Sequence, residues 1–432
     1  MAMVTPSNSA PSTISDGLTS YRAPLAVVTS LFFMWGFLTC LNDILVPHLK
    51  SIFELSYTQV MLIQFAFFGA YFVFSIPSAK VIDWIGYQRS MVAGLLTMGV
   101  GAFLFVPAAL VPSYPLFLLA LIVLAAGITC LQVAANPYVT VLGKPETASS
   151  RLNLTQAFNS LGTFLAPFFG GLLILSAAPK AADEIRALAP DALQAYRLHE
   201  AASVKAPYVG LGIALVLLAV VIGSFKLPKI PHAQHQIGEK VNDSIWNHRN
   251  LIFGAIGIFV YVGAEVSIGS FLVNYFSQPD IGGFTEKTAA GFVAFYWGGA
   301  MVGRFIGSGL LQKMKTGHLL GICAVCAAAL VTVSMLTSGH FAMWSIILVG
   351  LFNSIMFPSI FTLGVAELGP LTGDGSGIMI MAIVGGALIP LAQGAIADRI
   401  GIHHAFFLPV ICYLYILFFA LSGSKPNSER RA

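Results

Sequence analysis

The sequence predicts an all-α integral membrane protein of about twelve transmembrane helices in two six-helix bundles, and three observations predict it. Its 432 residues are 57% hydrophobic and only 9% charged, against about 25% charged in a soluble domain. Apolar runs of about 20 residues, enough to cross a bilayer as a helix, recur along almost the whole chain. Motifs of the first half return in the second at a nearly constant offset, with Asp43 and Glu265 lying 222 positions apart.

Residues 1–22 lack the basic start and apolar core of a secretory leader and read as a disordered cytoplasmic tail. Apolar segments follow at 24–48, 57–80, 89–110, 115–142, 151–176 and 206–226, together a first bundle over 23–226. The first segment carries Asn42 and Asp43, and Lys80, Asp83 and Arg89 divide the second from the third. Gln132 and Asn136 lie in the fourth, and the fifth opens with Asn153, Gln156 and Asn159. An insertion at 177–205 has helical periodicity and is expected to cap the outer face. The longest polar interruption, 227–249, is rich in Pro, His and charge and reads as the cytoplasmic linker between bundles. The second bundle, 250–424, holds segments at 250–277, 288–313, 318–337, 341–366, 375–398 and 402–422, with a tail at 425–432.

Lys and Arg gather on one set of loops, among them Lys80, Arg89, Arg151, Lys229, Lys313 and Lys315. Positive charge marks the cytoplasmic side, which puts both termini there; the net charge of +4 is a topology signal rather than a nucleic-acid surface. The five cysteines all fall in apolar segments. The Cys323 and Cys326 pair, whose spacing in a soluble protein points to metal or redox work, reads here as helix packing.

The repeat extends beyond the two acids. Asn136 to Gly143, NPYVTVLG, meets Phe357 to Gly364, FPSIFTLG, at offset 221, with Pro, Leu and Gly in register; Gln132 meets Asn353 at the same offset. Gly162, Pro167 and Gly171 meet Gly385, Pro390 and Gly394 at offset 223. Parallel repeats of this kind place a substrate between two bundles near the bilayer midplane. Registered Pro and Gly weaken the backbone ladder where helices bend or approach during alternating access.

A carboxylate at membrane depth costs roughly 2.5 to 3.5 kcal/mol on insertion scales, so Asp43 and Glu265 are expected to be paired, protonated or bound to something that crosses. Asn153, Gln156 and Asn159 are three apart and form one polar arc about 120° wide. Amides both donate and accept, which suits the hydroxyls of a neutral sugar; hydrogen bonds between helices are the competing use of such an arc. Asn42, Gln132 and Asn136 extend this set, Asn353 and Gln393 are its counterparts in the second half, and Tyr261, Trp297 and Phe357 offer faces to a pyranose ring. Lys80, Asp83, Arg89 and Arg304 fit gating ion pairs at the cytoplasmic ends, and equally plain topology signals.

The segments LNDILVP, LQVAANPYVTVLG, RLNLTQAFNSLG, YVGAEVSIGSFLVNY and FPSIFTLGV resemble the fucose:proton symporter family of the major facilitator superfamily, in its glucose/galactose and N-acetylglucosamine transporter branch. The likeness covers essentially all twelve segments. It implies the major facilitator fold, a bacterial inner-membrane location, and uptake of a neutral hexose driven by a cation gradient. Asp43 falls in the family's acidic position, and Asn136, Gln156 and Asn159 fall in its sugar-site motifs. The fucose transporter has a glutamate where this chain has Gln132, so that relative's proton mechanism does not carry over whole; Glu265, opposite Asp43 across the pseudo-twofold axis, is the expected replacement, and Asp43 and Glu265 are expected to bind and release the coupling ion.

No histidine lies deep in a segment, which disfavours an imidazole relay; the coupling ion, H⁺ or Na⁺, stays open, and no other cofactor is expected. An ATP-driven pump is disfavoured by the lack of a GxxxxGK[ST] loop, and an enzyme by the lack of clustered His and Cys. A sugar receptor without transport would not need acids at equivalent depths in both halves. An exporter of drugs or sugars with the same fold remains the rival, though drug sites favour large apolar pockets over amide arcs. The expected partners are a sugar and the lipid bilayer, with a monomer as the functional unit.

Overall fold

A computed structural model describes residues 21–53, 57–111, 113–173, 188–203, 205–229 and 243–426. The side chains of 39, 41–62, 64, 167–173, 197, 199–203 and 286 lie outside that description. The described residues are mostly helical and contain no strand. Among the described residues, nine segments are long and apolar enough to cross a membrane. The first of these, Phe65–Leu110, runs 46 residues, about 69 Å at helical rise and too long for one crossing of a core of about 30 Å. Gly86, at φ 81° and ψ 166°, reverses the chain within it, so it supplies the second and third spans. With the first span, Arg22–Phe53, and the fifth, Ala148–Leu173, the count reaches the expected twelve.

The fourth span is Tyr114–Val141, the sixth Lys205–Ser224, the seventh Arg249–Phe276, the eighth Glu286–Leu310 and the ninth Thr316–Leu336. Three of the last spans differ from the simple rods expected. The tenth breaks into Gly339–Asn353 and Met356–Gly364, and the eleventh runs from Thr372 through a 3₁₀ turn at Ala382–Val384 into Gly385–Ile400. The twelfth, Ile402–Gly423, ends in a π turn at Phe419–Gly423. Within the insertion, Pro190–Ser203 is helical and packs against the first span and the helical pair Tyr57–Leu110.

Proline explains the tenth-span break. Pro358 has no N–H to give the carbonyl of Ser354, four residues back, and its ring crowds that carbonyl. Arg304 of the eighth span supplies the missing donor, its Nε lying 3.4 Å from the Ser354 oxygen. The repeat partner behaves alike: Pro137 denies a donor to the Val133 carbonyl, and Ser376 of the eleventh span gives it a hydroxyl at 2.8 Å.

Glycine sets how closely the repeat-related spans cross. A Cβ on Gly162 would lie 2.2 Å from the Phe33 carbonyl oxygen, and one on Gly385 2.0 Å from that of Phe259, so the fifth span meets the first as the eleventh meets the seventh. Gly385→Ala is therefore expected to cost about 1–3 kcal/mol. Thermal unfolding in detergent checks this against Gly210→Ala, where nothing lies within 4 Å.

The two halves are joined along the face that carries the termini. Lys80 Nζ lies 2.8 Å from Asp374 Oδ1. Ser149 and Thr362 share a hydrogen bond of 2.6 Å, Thr316 donates to Ser149 at 2.9 Å, and Ser150 donates to the Ser308 carbonyl at 2.7 Å. Bonds between small hydroxyls and carbonyls hold helices together without large side chains, which keeps the contact reversible.

Candidate functional site

The seventh span is apolar except at a few positions, and its acid is deeply placed: the Glu265 side chain is 13% exposed. Tyr261 lies one helical turn before it, where i and i+4 side chains meet. Its hydroxyl is 2.8 Å from Glu265 Oε1 and 3.0 Å from the Asn353 carbonyl oxygen. The other half of the acid's setting comes from the eighth span. Gly303 allows a close approach, since a Cβ there would lie 2.5 Å from Ser354 Oγ, and the next residue, Arg304, reaches in to place a guanidinium nitrogen 4.0 Å from Glu265 Oε1.

Arg304 was expected at the cytoplasmic end as a gating residue, and the structure places it instead beside the acid, 14% exposed. The physical reason is mutual need: a lone cation and a lone anion inside apolar spans each lower the other's desolvation cost. Arg304 also donates to the Ser160 hydroxyl of the fifth span, and Asn153 of the same span donates to the Arg304 carbonyl at 2.7 Å. The charge centre of the second half is thus tied to the amide-bearing helix of the first.

Asn353 belongs to the second half's scaffold rather than to an open site. Its Nδ2 donates to the Tyr296 hydroxyl at 2.9 Å, and its Oδ1 accepts from the Tyr413 hydroxyl at 2.8 Å. Tyr261, Tyr296 and Tyr413 are all buried. Phe357 stacks on Phe361 with centroids 6.1 Å apart, and Trp297 sits edge-on to Tyr296 at 5.1 Å and is 41% exposed.

The polar arc of the fifth span divides among three directions. Asn153 turns to Arg304, Asn159 donates to the Phe32 carbonyl of the first span at 2.9 Å, and Gln156 keeps a buried Nε2 with no partner. On the fourth span, Gln132 donates to the Tyr71 hydroxyl at 2.7 Å while its Oε1 is buried and unpartnered. Both amide atoms of Asn136 and both of Gln393 are buried without a partner among the described residues, as is Oδ1 of Asn153. Asn42 and Asp43 have side chains outside the described residues.

At the terminus-bearing face Lys80 pairs with Asp374 and, at 3.5 Å, with Asp83, while Arg89 is exposed. Asp374, Ser160, Tyr71 and Tyr413 are the members of these clusters that sequence reasoning missed. Only Asp374 carried a signal, as a charge beside the apolar run it opens. A groove of about 570 Å³ lined by Met314, His318, Ile322, Val325, Leu417 and Leu421 lies elsewhere and holds none of the expected site residues. Among the described residues no group of three or more His, Cys, Asp or Glu is placed to hold a metal.

The chain is 53% identical over 425 residues to the glucose/galactose transporter of Brucella abortus, covering 98% of this chain and all of that one. It is 36% identical over 417 residues to the L-fucose-proton symporter of Escherichia coli K12, covering 94% of each. The crystal structure of the transporter FucP in its outward conformation superposes with a TM-score of 0.86 at 34% identity, covering 94% of this chain and 99% of that one. The family model for the Major Facilitator Superfamily matches residues 27–383, and the chain belongs to that superfamily.

Proposed function

We propose that this protein imports glucose or galactose together with a cation, by alternating access between its two bundles. What carries the reading is the set of buried amide atoms without partners on Gln132, Asn136, Gln156 and Gln393, spread over both halves. Each such group costs about 1–3 kcal/mol when left unpaired, and a polyhydroxylated ring offers donors and acceptors to all of them. Two relatives, at 53% and 46% identity, are named glucose/galactose transporters, which favours those hexoses over N-acetylglucosamine.

Asn42, Gln132, Asn136, Gln156 and Gln393 hold the sugar, with Asn153 and Asn159 fixing the helices around it and Trp297 and Phe357 bounding the apolar side. Asn353 and Tyr261 orient the acid. Asp43 and Glu265 bind and release the coupling ion, a proton in the first reading and Na⁺ in the alternative. Lys80 with Asp83 and Asp374 closes the cytoplasmic face, with Arg89 beside it, so that the state described opens outward. The bundles 23–226 and 250–424 rock about this site on the linker 227–249, in the inner membrane with both termini cytoplasmic, and one chain suffices.

Uptake of labelled glucose into proteoliposomes, under an inward proton gradient without sodium, tests this. Accumulation that vanishes when the gradient collapses, and that galactose competes away better than N-acetylglucosamine, is the expected result. Accumulation only with sodium selects the sodium alternative, and none with either ion overturns the proposal. Gln156→Ala is expected to raise KM in counterflow about two- to ten-fold, the worth of one hydrogen bond. An unchanged KM would remove Gln156 from the sugar site.

A further inference from the structure

We infer that the tenth-span break is a relay that reads the charge on Glu265 through Tyr261 and Arg304 and passes it to the closed face. The inference rests on Glu265 being a coupling acid. Its basis is a coincidence of partners: among the described residues, the two side chains that contact the Glu265 carboxylate are the same two that serve the carbonyls at the break, Tyr261 at Asn353 and Arg304 at Ser354. A helix end leaves its last carbonyls without intrahelical donors, and Pro358 makes Ser354 permanently dependent on an outside one.

Tyr261 has one hydroxyl proton and two acceptors within reach, Glu265 Oε1 at 2.8 Å and the Asn353 carbonyl at 3.0 Å. An ionised Glu265 only accepts and claims that proton. When a proton from the aqueous phase neutralises it, the carboxyl becomes a donor, the Tyr261 oxygen accepts, and the tyrosine proton turns to Asn353. No covalent bond other than the new O–H forms or breaks. Arg304 loses its anionic partner in the same step and keeps Ser354 and Ser160, the second of which lies in the other half. Protonation therefore tightens the break and the link between halves together, and ionisation draws both donors back to the acid.

Beyond the break, Met356–Gly364 carries Thr362, whose hydrogen bond to Ser149 at 2.6 Å helps close the terminus-bearing face. The break is thus the element that both sites bias, which is what transmission over a distance requires. The titratable and charged groups around Glu265 are Tyr261 on its own span, Arg304 and Tyr296 on the eighth and Tyr413 on the twelfth. The eleventh span brings none between Gly385 and Ala397, and Asp43 is the other acid assigned to this depth by the repeat.

The test places spin labels at Arg89→Cys and Lys315→Cys, exposed positions on the terminus-bearing face of each half, in a chain with its five cysteines replaced, and measures their distance in nanodiscs. In the labelled parent the closed-to-open ratio is expected to fall about ten-fold from mildly acidic to mildly alkaline buffer. Without sugar, Glu265→Gln should hold the parent's acidic closed-to-open ratio at every pH, leaving the sugar-driven opening that exchange needs. Tyr261→Phe and the charge-conserving Arg304→Lys should each shrink the swing to about two-fold or less. Tyr275→Phe, which removes a buried hydroxyl of the same span bonded to Ser334, should keep the parent's swing. A full swing in Tyr261→Phe and Arg304→Lys, or a swing lost equally in Tyr275→Phe, overturns the relay. A full swing in Glu265→Gln instead overturns the coupling role of Glu265 itself.

Discussion

Glu265→Gln is expected to abolish accumulation of sugar against its gradient while leaving counterflow exchange in place. A glutamine keeps the volume and can still accept from Tyr261, so the helix packing is retained; what it cannot do is change charge. One coupled charge moved down about 100 mV is worth about 2.3 kcal/mol, enough for about 50-fold accumulation. The variant should bring that figure to about one-fold, the equilibration that exchange alone supports. Uptake of labelled glucose under an imposed gradient, set against counterflow in the same vesicles, separates the two quantities. Concentration retained in the variant would leave Asp43 as the acid that couples, and loss of both activities would mean that Glu265 is needed for sugar binding or movement rather than for coupling alone.

Much of this architecture is legible in the chain because a bilayer imposes simple demands. Span length, the scarcity of charge and the recurrence of NPYVTVLG as FPSIFTLG carry the twelve helices and their two bundles. Pro358 also marks the tenth-span break, since its missing N–H strips Ser354 of a helical donor wherever that span packs. The partners of the polar residues are another matter. Asn153, Gln156 and Asn159 announce a polar arc by their spacing, yet Asn153 turns to the eighth span and Asn159 to the first, because the fifth span lies between them, while Gln156 keeps a buried Nε2 without a partner. Arg304 shows in sequence only as a cation within an apolar run near other basic residues. That it faces Glu265 depends on how the eighth span is seated, with Gly303 against Ser354 of the tenth, a property of packing that one sequence does not display.

Arg304→Gln is the most destabilising single change expected in the site, and its sign depends on Glu265. Removing one member of a buried ion pair leaves the other uncompensated, at about 3–5 kcal/mol in well-formed pairs. The contact of 4.0 Å is long, and Tyr261 continues to donate to the carboxylate, so the lower end of that range applies. Glu265→Gln in the same chain removes the orphaned charge and should return most of the lost stability. The recovery should stop short of complete, because the Ser354 carbonyl, cut off from a helical donor by Pro358, keeps only what a shorter glutamine can offer. Thermal unfolding of the parent, both single variants and the double variant gives the coupling directly. Additive losses in the double variant would show that Glu265 and Arg304 do not depend on one another, whereas recovery identifies the pair as the electrostatic centre on which the second bundle is built.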